Sequence, residues 1–148
     1  MDTIFSSASN GQKSAIKIIR VSGSKVNNIP KIFSFKPTQP RVASIRKIYD
    51  LNNNIIDNAL IIYYPAPNTV TGEDVIEFQI HGSSIIEKKI YNVFSKIKTF
   101  RIAGRGEFTK RAFLNGIIDL TQAEGLNDLI NSETEKQFKM SMSQYEGM

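Results

Sequence analysis

Asp74-Val75-Ile76-Glu77-Phe78-Gln79-Ile80 alternates strictly, with Ile76, Phe78 and Ile80 on one side and Val75, Glu77 and Gln79 on the other. A period of two is the signature of a strand lying on an apolar layer, and it turns Glu77 away from that layer. Immediately downstream, Ser84-Ile85-Ile86-Glu87 fits a capping box. The helix it opens carries Ile86, Ile90, Val93 or Phe94, and Ile97 at helical spacing.

Working outward, Ala15 to Val21 reads as a strand that is apolar on both faces and therefore central. Ser22 or Ser24 caps a short helix bearing Val26, Ile29, Ile32 and Phe33, which Pro30 shortens or bends because it removes a backbone donor. Residues 42–49 and 55–64 form a hairpin through Asp50-Leu51-Asn52-Asn53-Asn54, whose Asn and Asp residues tolerate turn geometry. Pro65-Ala66-Pro67-Asn68 interrupts regular structure, and residues 99–103 supply one more strand. Gly104-Arg105-Gly106 then turns the chain into a short helix ending at Asn115-Gly116.

From Asp119 onward only helix is expected. Asp119-Leu120-Thr121-Gln122 and Ser132-Glu133-Thr134-Glu135 match capping patterns, and the second opens a helix with Phe138, Met142 and Tyr145 along one stripe. That stripe has no later segment to pack on, so the sequence reads as a fragment that stops partway through a helical region.

At 148 residues the chain is long enough for one ordinary domain and the start of a second. It has no cysteine, which excludes disulfides, thiolate metal sites and a cysteine nucleophile. No apolar run approaches the roughly 20 residues a membrane span needs, and the start lacks signal-peptide order; the expectation is a cytoplasmic protein without a membrane partner. The net charge of +5 and pI near 9.5 suit a nucleic-acid partner. The cations are scattered in sequence, however, and charge alone supports solubility more than recognition.

Two segments mix acidic, basic and small residues around a few large apolar ones: Thr71 to Glu77 closing with His81-Gly82, and Gly106 to Gly116. That composition suits a cleft wall better than a core. Gly11-Gln12-Lys13-Ser14 is not a phosphate loop, since no Gly directly precedes the Lys. His81, the only histidine, has no companion at metal-ligand spacing, and no catalytic or metal site is assigned.

These words, together with Asp2-Thr3-Ile4, Ile18-Ile19-Arg20-Val21-Ser22-Gly23, Gly106-Glu107-Phe108-Thr109-Lys110-Arg111-Ala112-Phe113-Leu114-Asn115 and Asp119-Leu120-Thr121-Gln122-Ala123-Glu124, resemble the N-terminal part of the tRNA modification GTPases of the MnmE (TrmE) family. The resemblance runs in order over nearly the whole chain. It implies an α+β fold in which helices pack on a mixed sheet, like the folate-binding domain of aminomethyltransferases, over residues 1–118, then the start of an all-helical domain over 119–148.

It further implies binding of 5-formyltetrahydrofolate or a related tetrahydrofolate, and homodimerisation through this domain. In the full-length family, GTP, magnesium and potassium bind through a GTPase domain absent here. The family protein acts with MnmG on the wobble uridine of tRNA. Carried over by position, the folate contacts fall on Arg20 and Glu77. A carboxylate on a rigid strand accepts two adjacent pterin N–H donors, and a guanidinium meets an anionic or carbonyl group. Arg20 could equally form a salt bridge with an acid such as Glu77 itself. The family's third contact, a lysine, is Ile117 here, so either Lys110 or Arg111 compensates, folate affinity is reduced, or the pocket is used differently. Loop shape departs as well, at Asn10 to Ser14 and at Ser83. A self-contained folate-dependent aminomethyl or formyl transferase and a basic RNA-binding module stand as alternatives.

Overall fold

The computed structural model describes residues 1–8, 14–132 and 134–147. The Asn10 to Ser14 loop expectation lies, apart from Ser14, outside the described residues, as does Glu133 of the expected second cap. The chain forms two compact units, one of residues 1–69 and 73–103, the other of residues 70–72 and 104–148. The expected boundary after residue 118 falls inside the second.

The first unit is α+β. Its strands are β1 (Thr3–Ser7), β2 (Ile16–Ser22), β3 (Ser44–Tyr49), β4 (Ile55–Tyr64), β5 (Val75–His81) and β6 (Phe100–Ile102). They form one mixed sheet in the order β3-β4-β5-β2-β1-β6, antiparallel except for the parallel β1–β6 pair. β2, apolar on both faces in sequence, is interior to that order.

A single 3-10 turn at Val26–Asn28 runs into α1 (Ile29–Ile32), only four residues long, with Pro30 in its first turn where a missing donor costs least. The later helix is α2 (Ser84–Ser95). Its cap is Ser83, one residue before the expected Ser84: the Ser83 hydroxyl accepts from the Ile85 amide at 3.2 Å. The pattern in sequence is shifted by one because the chain leaves β5 in extended conformation until Ser83.

One face of the sheet and these helices enclose the core. Cross-strand pairs Ile19–Phe78 and Val21–Ile76 meet Ile90, Val93 and Phe94 of α2 and Val26, Ile29 and Phe33. A chain of rings spans it: Phe78 to Phe33 at 5.4 Å between centroids, Phe33 to Phe94 at 5.2 Å, Phe94 to Phe5 at 4.6 Å and to Phe100 at 5.0 Å. The β3–β4 hairpin closes on Asp50, whose Oδ1 accepts from the amides of Asn52 and Asn54 at 2.9 Å each.

The second unit is helical: α3 (Glu107–Leu114), α4 (Leu120–Ile130) and α5 (Glu135–Tyr145). Gly106 enters α3 at φ 70°, and Gly116 follows it at φ 73°. Asp119 and Gln122 make the expected capping box. The second box is built from Thr134 and Gln137 rather than Ser132 and Glu135, so α5 begins later than its sequence pattern suggested. α5 does find a packing partner: it folds back on α4, and a Cβ at Gly125 would lie 2.6 Å from the Tyr145 amide nitrogen. The small residue is what allows that approach.

Candidate functional site

Alternation on β2 and β5 sends Ile19, Val21, Ile76, Phe78 and Ile80 into the core, and it therefore sends Ile18, Arg20, Glu77 and Gln79 to the opposite face. Register then decides which of those outward residues meet. Arg20 lies directly across from Glu77, and Glu77 is itself across from Ile62 of β4.

The two predicted contacts are thus brought together as an ion pair. Arg20 Nε and Nη2 both reach Glu77 Oε2, at 2.9 and 2.8 Å, with 29% of the arginine and 14% of the glutamate side chain exposed. Both alternatives for Arg20 remain chemically open, because a guanidinium fixed on one carboxylate oxygen still presents its remaining N–H groups. Glu77 Oε1 is 3.4 Å from the Tyr64 hydroxyl, longer than an ordinary O–H···O bond. The carboxylate accordingly keeps acceptor capacity on its second oxygen.

Tyr64 continues the line. Its ring lies 5.7 Å from the Arg41 guanidinium carbon, and Arg41 Nη2 donates to the carbonyls of Pro65 and Asn68. Burial, and then the Glu77 charge and hydrogen bond, raise the Tyr64 pKa, so it is a neutral donor at physiological pH. Sequence reasoning missed Tyr64. The signal was there in the outward phase of the β4 pattern, but nothing local said which β4 residue would face Glu77.

The nearby loop is organised by carboxylates. Glu73 Oε1 accepts from the Ser22 hydroxyl at 2.8 Å, and Asp74 Oδ1 accepts from the Ala66 amide at 2.8 Å. Thr71 and Gly72 belong to the second unit, where the Asn115 amide donates to the Thr71 carbonyl at 2.9 Å and Gly72 takes φ 82°. A Cβ on Gly72 would come within 3.0 Å of Ile117. Ile117 is 42% exposed there. Of its two proposed substitutes, Lys110 is exposed, whereas Arg111 is buried with Nη2 3.6 Å from Glu107.

His81 has a partner that its sequence context concealed. Asp57, only 8% exposed on β4, accepts from the His81 amide at 2.9 Å and meets Nδ1 at 2.8 Å, leaving a ring that is 72% exposed with Nε2 turned from the carboxylate. Among the described residues no three His, Cys, Asp or Glu side chains are grouped to hold a metal, and no helix is long and apolar enough to cross a membrane.

A family model described as the GTP-binding protein TrmE N-terminus matches residues 3–117. The tRNA modification GTPase MnmE of Wolbachia pipientis subsp. Culex pipiens is 47% identical over 147 residues, covering 99% of this chain and 33% of that protein. The proteins of the same name from Anaplasma marginale and Rickettsia bellii are each 44% identical, over 99% of this chain and 33% and 34% of their own lengths. The chain therefore spans about a third of the length of the curated relatives it matches.

Proposed function

This chain belongs to the TrmE N-terminus family, and from that premise we propose that it is a tetrahydrofolate-binding module of a tRNA modification GTPase, with Arg20 and Glu77 as its ligand contacts. The observation that carries the reading is the Arg20–Glu77 pair itself, held by strand register on the sheet face away from the core.

The residues fit the ligand. Glu77 offers Oε1 and the outer lone pair of Oε2 to the two neighbouring donors of a pterin, and Arg20 pins the carboxylate so that little orientational entropy is lost on binding. Tyr64 supplies a neutral hydroxyl and a ring beside them. A bound reduced folate would supply the one-carbon unit; the chain's own part is to bind and orient it. The fold proposed for this role is that of the aminomethyltransferase folate domain. In the complete protein we place the module in a cytoplasmic homodimer that acts with MnmG on tRNA, GTP being handled outside this chain.

Calorimetric titration with 5-formyltetrahydrofolate tests the reading. Saturable binding should be lost largely in Glu77→Ala and weakened in Arg20→Ala. Unchanged affinity in Glu77→Ala would remove the assignment of that residue, and absence of binding by the unaltered chain would remove the folate reading.

A further inference from the structure

β6 is the last strand on its side of the sheet and pairs with β1 alone. The Thr3 amide donates to the Thr99 carbonyl at 3.0 Å and the Ala103 amide to the Phe5 carbonyl at 2.8 Å. The backbone groups of residues 99, 101 and 103 therefore face β1, and those of Phe100 and Ile102 face outward. Half of the outward groups are engaged. The Phe100 amide donates to the Ile97 carbonyl at 3.1 Å, and the Ile102 carbonyl accepts from Arg101 Nη1 at 3.4 Å. The Phe100 carbonyl and the Ile102 amide have no hydrogen-bond partner among the described residues.

A short edge strand is often no more than a device against aggregation. This one borders a cavity of about 380 Å³ lined by Phe5, Tyr91, Phe100 and Ile102, with Lys88 and Arg101 among its other walls. That volume lies within the roughly 300–1,000 Å³ range of ligand sites. Phe5 and Phe100 are core rings, and Tyr91 is anchored beside them by its hydroxyl, which accepts from the Ser7 amide at 2.8 Å. Ile102, by contrast, is 59% exposed. Lys88 has no carboxylate within 4.0 Å among the described residues. Arg101 meets Asp2 at 3.0 Å in an exposed pair, which a competing carboxylate can displace at little cost.

We propose that the β6 edge and this cavity together dock an extended acidic segment of another protein, added to the sheet as a further strand parallel to β6. The open groups dictate the direction. In parallel pairing one residue donates to the carbonyl before its partner and accepts from the amide after it, so a single residue aligned with Arg101 satisfies both Phe100 and Ile102. Alternation puts that residue on the Arg101 side, where a carboxylate is complementary. Its neighbours fall on the Phe100 and Ile102 side, where an aromatic or aliphatic group enters the cavity beside Lys88. A second copy of this chain fits less well. Two identical edges related by a two-fold axis pair antiparallel, which needs the amide and carbonyl of one residue, and at Phe100 and Ile102 one of each is already bonded. The surface draws on neither Arg20 nor Glu77.

The test is fluorescence anisotropy of the chain with a short labelled peptide alternating Phe with Glu, compared with peptides alternating Phe with Lys and Ala with Glu. The Phe/Glu peptide should bind saturably, and the other two about tenfold more weakly or worse. Lys88→Glu combined with Arg101→Glu should weaken the Phe/Glu peptide by more than about tenfold. Ile102→Pro removes the outward amide without touching the bonds to β1 and should weaken it about tenfold, whereas Ile102→Ala keeps the amide and should stay within about threefold of the unaltered chain. Asn92→Trp, which fills the cavity from α2, should weaken binding as well. All variants are checked for unchanged circular dichroism. N-methylation of the peptide's Glu residues deletes the donor to the Phe100 carbonyl and should abolish binding to the unaltered chain, so the main-chain test stands even if Ile102→Pro unfolds. No saturable binding of the Phe/Glu peptide, equal binding of the Phe/Lys peptide, or indifference to N-methylation would overturn the inference. So would self-association in sedimentation that Ile102→Pro abolishes, which would assign the edge to a second copy.

Discussion

The two faces of the β2–β5 pair are made by the same backbone and the same hydrogen-bond ladder, and they have opposite fates. On one, Ile19, Val21, Ile76, Phe78 and Ile80 are sealed among the rings of Phe33 and Phe94. On the other, an arginine and a glutamate hold each other in place and stay partly open to solvent. The core face fixes the register, and the register aligns Arg20 with Glu77. Packing on one side is therefore what preorganises polar chemistry on the other, and a one-residue slip would destroy both at once.

The most severe way to test that division is to damage the core face. Phe78→Ala deletes a fully buried ring in contact with Phe33 and Phe35 and should cost about 3–5 kcal/mol of stability, measured by urea unfolding. If ligand affinity persists in the fraction that remains folded, the faces are separable as described. Damage to the open face should do the reverse. Glu77→Ala should cost only about 1 kcal/mol of stability, from the bonds it makes to Arg20, yet remove about 1–3 kcal/mol of folate affinity through unpaired pterin donors. A large loss of stability instead would mean that the ion pair is chiefly structural.

A smaller effect probes the place where the core face admits a charge. Lys17 is almost fully buried, with Nζ 3.9 Å from Glu87 of α2. Glu87→Gln should destabilise by about 1 kcal/mol because it strands the ammonium, whereas Lys17→Met should be neutral or stabilising, both read from thermal melts. Additive losses in the double variant would show that the pair is not coupled.

The least effect is expected away from both faces, in the hairpin turn. Amide bonds from Asn54 hold the Asp50 carboxyl below its usual value, followed by a smaller opposing contribution from burial and a further lowering by Asn52. A folded-state pKa below the unfolded one means that Asp50 contributes stability above the ordinary carboxylate range and loses it as pH falls through the depressed value. Asp50→Asn should flatten that part of the acid-unfolding profile; an unaltered profile would show that the turn carries no such linkage.

Local pattern made much of this legible in advance. The alternation of residues 74–80, the Asn-rich turn, Pro30 shortening α1 and the Asp119–Gln122 box all depend on neighbours a few residues apart. The errors were of two kinds. Capping patterns overlap, so Ser83 displaced Ser84 and Thr134 displaced Ser132 according to where the preceding chain allowed extended backbone. And α5, expected to lack a partner, packs on α4 through Gly125, a contact between positions that no periodicity relates.

By itself the sequence determined which side of each strand is apolar, where α2 and α3 begin and end to within two residues though not where α1 begins, and which family the chain resembles, because those properties are written in short spacings. Only the tertiary structure decided that Arg20 meets Glu77, that Tyr64 stands beside them, and that Asp57 orients His81. Those are consequences of register and chain crossing, and register is chosen by the burial of the whole core rather than by any residue's immediate neighbours.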